Sequence, residues 1–183
     1  AARALTLVRN EDALLPLDPN RQSCHFVLSG SRFTAQGRDL AESLRQASPK
    51  SLVTLLDPNL PEQEFSSQAE AASSCSAIGV FTFVVSAAYQ GSISLPGRYP
   101  AFMEALLATG RPVALISLGN PYLIRVFPAV RAYLAAFSTS APSEAAVIQA
   151  IFGRAAVQGR LPVSIPGVAP IGFGLNLVPQ AAP

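Results

Sequence analysis

The chain has 183 residues, half of them hydrophobic and only 13% charged, with a net charge of +2. That length fits one domain with a real core, and the composition excludes a disordered chain, which needs low hydrophobicity and high charge. The twelve Arg and one Lys are scattered, which argues against a nucleic-acid-binding face. The most apolar stretch, Ala77 to Ala88, has 12 residues, too few for a membrane span of about 20.

In chain order, Ala4 to Val8 is a short apolar run closed by Arg9-Asn10-Glu11-Asp12. Cys24 to Leu28 reads as a strand ending at Ser29-Gly30. Gly37 to Ala47 reads as a helix, with Leu40 and Leu44 one turn apart on one face. Ser51 to Leu56 is a strand stopped by Asp57-Pro58. Glu62 to Ser74 is a helix with Glu62 and Glu64 in its first turn, where the macrodipole favours carboxylates. Phe65, Ala69 and Ala72 give that helix an apolar stripe. Ala77 to Val85 is a continuous apolar strand, the pattern of a central strand covered on both faces.

Tyr99 to Thr109 is a helix, with Phe102-Leu106 and Met103-Leu107 pairs four apart and Gly110 as its stop. Pro112 to Leu118 is a strand, Pro121 to Phe127 a short helix, and Ala132 to Phe137 another strand. Pro142 to Phe152 is a helix followed by Gly153, and Gly159 to Pro166 is extended. The Pro/Ala-rich tail from Leu177 to Pro183 reads as loose. This alternation predicts a single α/β domain over residues 1–183. Its core is a mostly parallel sheet of about five to six strands with helices on both faces, a flavodoxin-like layering.

Cys24 and Cys75 fit no CxxC or zinc spacing. They read either as two buried apolar thiols or as one disulfide in an exported protein. The compartment, cytoplasmic or exported, stays open at this level. The single histidine, His25, reads as a half-buried strand residue, and one histidine excludes a multi-His metal site within the chain. Met103 is the only methionine, so Ala1 is not an initiator position and the chain is expected to be part of something longer. Its N-terminus shows no signal-peptide h-region.

In open α/β sheets the functional crevice lies beyond the carboxyl ends of the strands. Four loops qualify: Ser29 to Gln36, Ser86 to Arg98, Gly119 to Tyr122, and Ser138 to Ala141. None contains a carboxylate, although acid–base or glycosidic chemistry needs a positioned carboxylate or histidine. Ser29-Gly30-Ser31-Arg32 invites a phosphate-binding reading, but no GxGxxG or GxxxxGK[ST] supports it, and no serine lies in a GxSxG elbow. These loops describe a domain without its own catalytic machinery.

Several segments, taken in order, resemble the C-terminal domain of family 3 glycoside hydrolases. Ala4-Leu5-Thr6-Leu7-Val8-Arg9-Asn10 with Leu14-Leu15-Pro16-Leu17 resembles the family's opening "alTLvrN…LLPL". Ser117-Leu118-Gly119-Asn120-Pro121-Tyr122 resembles its "sxGNPy" strand end. Gly153 and then Gly159-Arg160-Leu161-Pro162-Val163-Ser164-Ile165-Pro166 resemble "lfG…GRLPvsiP", and Gly172-Phe173-Gly174-Leu175 fits the "GxGL" that follows.

The resemblance implies an N-terminal β/α barrel of the same protein that carries the nucleophilic aspartate, with carbohydrate bound at the domain interface. It implies no cofactor and no metal. In the β-glucosidase-like branch this domain supplies an acid/base glutamate from "ExEGxDRxxLxLP". The comparable stretch here reads Ala87-Ala88-Tyr89-Gln90-Gly91-Ser92-Ile93-Ser94-Leu95-Pro96, without either glutamate or the Asp-Arg pair. That departure implies the β-N-acetylglucosaminidase-like branch, whose acid/base His–Asp pair sits on a barrel loop. No residue of this chain is then catalytic. Tyr89 and Gln90 are expected to line the sugar cleft, with Arg32 a weaker candidate. The alternative is a stand-alone flavodoxin-like module that holds a small anion or nucleotide at Ser29. The low charge is expected to mark a contiguous apolar surface patch built for a partner.

Overall fold

The computed structural model describes residues 1–31, 33–84 and 95–180. Six strands form one sheet: β1 Thr6–Asn10, β2 Cys24–Leu28, β3 Leu52–Leu56, β4 Ile78–Val84, β5 Val113–Gly119 and β6 Ala132–Ala135. Four helices connect them: α1 Arg38–Ala47, α2 Glu62–Ala72, α3 Tyr99–Ala108 and α4 Ala141–Ile151. The strand order is β1-β6-β5-β4-β2-β3, with β1 antiparallel to β6 and every other pairing parallel. Without β1 this is the flavodoxin-like order. The chain steps from β2 outward to β3 and then back across to β4, so the topological switch point lies between β2 and β4.

The helix stripes and the strand alternation explain the two layers. Successive strand side chains point to opposite faces. Val80 and Leu115 therefore meet Phe65, Ala69, Phe102, Met103 and Leu106 of α2 and α3. Phe81 and Ile116 meet Leu40, Leu44, Val147 and Ile151 of α1 and α4 on the other side. β4 is buried on both faces over residues 78–83, which is why its sequence is apolar but for Thr82 rather than alternating.

The first strand runs further than its apolar residues suggest. Backbone pairing of Arg9 with Tyr133 and Asn10 with Ala132 carries it through the polar pair. Asn10 also fixes the next turn: its amide donates to Leu15 O at 2.9 Å and its Oδ1 accepts from Leu15 N–H at 2.8 Å. The segment after Asn120 is a short 3-10 turn, Pro121–Arg125.

Three residues take surroundings that their local sequence left open. His25 is fully buried rather than half-buried, because β2 is an interior strand between β3 and β4. Cys24 and Cys75, also buried, form a disulfide that ties the start of β2 to the turn after α2, with Cα atoms 5.8 Å apart.

The chain after α4 forms a strap along the outer edge of β1. Val157 and Leu177 exchange both backbone hydrogen bonds at 2.9 Å. Gly159 N–H donates to Leu5 O at 3.1 Å, and Leu175 N–H to Leu7 O at 2.7 Å. The approach is so close that a Cβ on Gly159 would lie 2.2 Å from Leu5 O. Leu161, Ile165 and Ala169 turn into the core on the α2/α3 side. The tail read as loose from Leu177 is tied down as far as Gln180, whose N–H donates to Gly153 O at 2.9 Å. Among the described residues no helix is long and apolar enough to cross a membrane.

Candidate functional site

All five parallel strands end on one edge of the sheet, so their loops share one rim. Thr82 of β4 pairs with Leu28 of β2. The Ser29 loop therefore borders the switch-point crevice, beside the place where β4 ends at Val84. Tyr89, Gln90 and Arg32, the three residues expected to line the cleft, lie outside the described residues.

The β2 and β3 ends are locked together. The Tyr99 hydroxyl, brought up by the first residue of α3, lies 2.8 Å from Ser29 O and 2.7 Å from Leu56 O and donates its one proton to this pair. Burial pushes the Tyr99 hydroxyl well above its usual pKa, so it remains a donor across the ordinary pH range. Ser29 adds a second tie, its hydroxyl donating to Leu56 O at 2.8 Å.

Five amides in and just after the Ser29 loop are already bonded within the protein. Ser29 N–H donates to Leu56 O, Thr34 N–H to Ser31 O and Arg38 N–H to Ala35 O. Phe33 N–H donates to Ser31 Oγ and Gln36 N–H to Thr34 Oγ1. Phosphate-binding loops instead keep their N–H groups free for the ligand.

Beside this loop is a recess of about 440 Å³ lined by Ser31, Phe33, Asp57, Asn59, Leu60 and Pro61. Phe33 is 82% exposed at its mouth. Asp57 is buried and accepts from Asn59 N–H at 2.8 Å, which shapes the turn after β3. The recess thus combines an aromatic face with a carboxylate, an amide and a hydroxyl. The sequence reading missed it because it counted loops after four strands and took Asp57-Pro58 only as a stop. The available signal was topological: a third parallel strand must end on the same rim.

Other polar groups of the rim are structural. Asn120 accepts from Tyr122 N–H at 2.8 Å, and the Tyr133 hydroxyl lies 3.0 Å from Pro121 O, so the Gly119-Asn120-Pro121-Tyr122 motif builds a turn. Glu62 pairs with Arg98 at 3.4 Å on the surface. Glu144, in the first turn of α4, reaches the first turn of α1, where Leu40 N–H donates to its carboxyl. Burial, with Asp39 nearby, raises the Glu144 pKa despite that bond. Among the described residues, none of these carboxylates forms the facing pair that a retaining glycosidase uses.

The comparisons agree with this architecture. Residues 5–171 match the family model described as the glycosyl hydrolase family 3 C-terminal domain. A fungal multi-domain family 3 β-N-acetylglucosaminidase shares the fold at a TM-score of 0.72 and 20% identity, over 93% of this chain and 19% of that one. The β-N-acetylglucosaminidase of Paenibacillus sp. str. FPU-7 matches at 0.65 and 22%, over 85% and 29%. The β-glucosidase of Listeria innocua, solved with glucose, matches at 0.71 and 16%, over 88% and 25%. The chain therefore spans less than a third of each of these relatives, and likeness at such identities carries the fold alone. No curated protein matches the chain in sequence. With the family model covering nearly the whole chain, the order of the strands and the loop motifs have one consistent assignment: the chain belongs to the C-terminal domain family of the family 3 glycosyl hydrolases.

Proposed function

We propose that this chain is the accessory domain of a retaining exo-glycosidase that hydrolyses O-glycosyl bonds, a β-N-acetylhexosaminidase. It packs on the catalytic barrel of its own protein and walls one side of the sugar cleft. The observation that carries this reading is the rim itself. It offers an aromatic face, hydroxyls, an amide and one turn-building carboxylate, Asp57, without a facing acid/base pair among the described residues. Such groups recognise and shield a sugar, since aromatic faces stack on the ring while polar groups bond its hydroxyls. Bond cleavage then falls to the barrel. The missing glutamates of the 87–96 stretch support the N-acetylhexosaminidase branch over the β-glucosidase one. The Cys24–Cys75 disulfide supports an exported enzyme, because disulfides persist in oxidising compartments.

The test is kinetic, on the barrel-bearing polypeptide with aryl N-acetyl-β-glucosaminides. Phe33→Ala and Asn59→Ala are expected to raise KM about three- to thirtyfold with kcat nearly kept, as loss of uniform binding does. A kcat loss of about a thousandfold or more in Asp57→Asn would place catalysis in this domain and sink the reading.

A further inference from the structure

The strap carries a surface that the cleft reading leaves unused. Among the described residues eight large hydrophobic side chains are exposed, and five of them, Val168, Ile171, Phe173, Leu175 and Val178, fall within eleven residues of the strap. Ile171 is 65% and Val178 74% exposed. No residue from Leu161 to Pro183 carries a charge. Scattered exposed hydrophobics are ordinary, but a run of this kind marks an interaction surface.

The surface is pre-formed. Leu161 N–H donates to Phe173 O and Gly172 N–H to Leu161 O, both at 2.8 Å, and Ile171 N–H donates to Ser164 Oγ at 2.9 Å. Its inward side chains, Leu161, Ile165 and Ala169, are anchored in the core. A partner would bind without paying to order the segment.

Resting on the accessory-domain reading, we infer that the outer face of the strap, from Val168 to Val178, docks this domain onto an apolar face of the barrel of its own polypeptide. Three observations favour that occupant. The solved relatives are several times longer than this chain, which covers 19% to 29% of the three described above. Residues 168–178 carry no charge of their own, and the one cation at their border, Arg160, is bonded to Asn176 Oδ1 at 2.9 Å, so the face suits a permanent apolar contact and offers little to an anionic membrane or nucleic acid. The strap is also bonded to Leu5, so a barrel joined at the N-terminal end is tethered beside it and meets it at high effective concentration.

Hydrogen exchange tests this on the barrel-bearing polypeptide and on the 183-residue chain alone. The amides of residues 165–178 are expected to exchange at least about tenfold more slowly when the barrel is present. A double variant, Ile171→Ser with Phe173→Ser, is expected to erase that difference while leaving the unfolding temperature of the isolated chain within a few degrees. Protection at Ser29–Gln36 and Asp57–Pro61 but not at the strap would overturn this surface and leave the accessory-domain reading standing. Protection on neither would overturn both. A dimer of the isolated chain, seen by sedimentation and dissolved by the double variant, with no effect of the barrel on exchange, would assign the strap to a second copy instead.

Discussion

His25 has both ring nitrogens buried and without a hydrogen-bond partner. Phe81 and Phe152 meet it edge-on, at 5.9 and 6.1 Å between ring centroids. Gly79 sits opposite on β4, where a Cβ would come within 2.7 Å of His25 Nδ1. Desolvation lowers its pKa from 6.5 to about 4. The unfolded chain therefore takes up a proton that the folded one refuses, and stability falls as pH falls from 6.5 toward 4. The full swing is about 3 kcal/mol, present above the upper pKa and lost by the lower one. Thermal unfolding from pH 7.5 to 4 is expected to show this decline in the parent chain and a flatter profile in His25→Leu, which is of similar volume and cannot protonate. Parallel profiles for the two would show that His25 is not the titrating group. The burial of His25 was not legible locally, because Cys24-His25-Phe26 marks a strand without saying which strands flank it. Asp57 was hidden for the same reason. Its type and position were visible, but its place on the rim depends on β3 lying parallel beside β2.

At the level of elements, most of the structure was legible. The Leu40/Leu44 and Phe65/Ala69/Ala72 stripes bury as their spacing implies, and the 77–85 stretch, apolar but for Thr82, contains the central strand β4. The strap was the element least visible. It makes isolated bridges rather than a ladder, so no strand-like alternation announces it over its whole length. What did announce it was the GRLP motif, and the reason is steric. Gly159 is required because the strap and β1 backbones nearly touch there. Gly159→Ala is expected to push the strap off Leu5 and cost about 2–3 kcal/mol, the scale of overpacking in a tight contact. Urea unfolding would measure it, and a loss below about 0.5 kcal/mol would mean that the backbone yields at no cost. Faster exchange of the Leu175 and Leu177 amides in the variant would trace the loss to the strap.

For the whole molecule, the Cys24–Cys75 bridge closes a loop with a sequence separation of 51 residues. Loop-closure entropy in the unfolded chain then sets its contribution at about 4 kcal/mol. The double variant Cys24→Ala with Cys75→Ala is expected to unfold at clearly lower urea concentration with its native circular dichroism kept. A change below about 1 kcal/mol would show that the bridge does not constrain the unfolded state as this account requires.

The sequence by itself determined the α/β class, the order of the main strands and helices, the helix faces and, through its ordered motifs, the family. These follow from local periodicity and from turn residues, which act over a few positions. Tertiary structure alone decided the rest: that the two cysteines meet, that His25 is enclosed, that Asp57 joins the Ser29 loop around one recess, and that the strap covers β1. Each of these depends on which strands become neighbours, and residues far apart in the chain take their surroundings from that arrangement. The low charge of the composition fits the uncharged stretch after Arg160, but only the fold put five of its hydrophobic side chains on the outside.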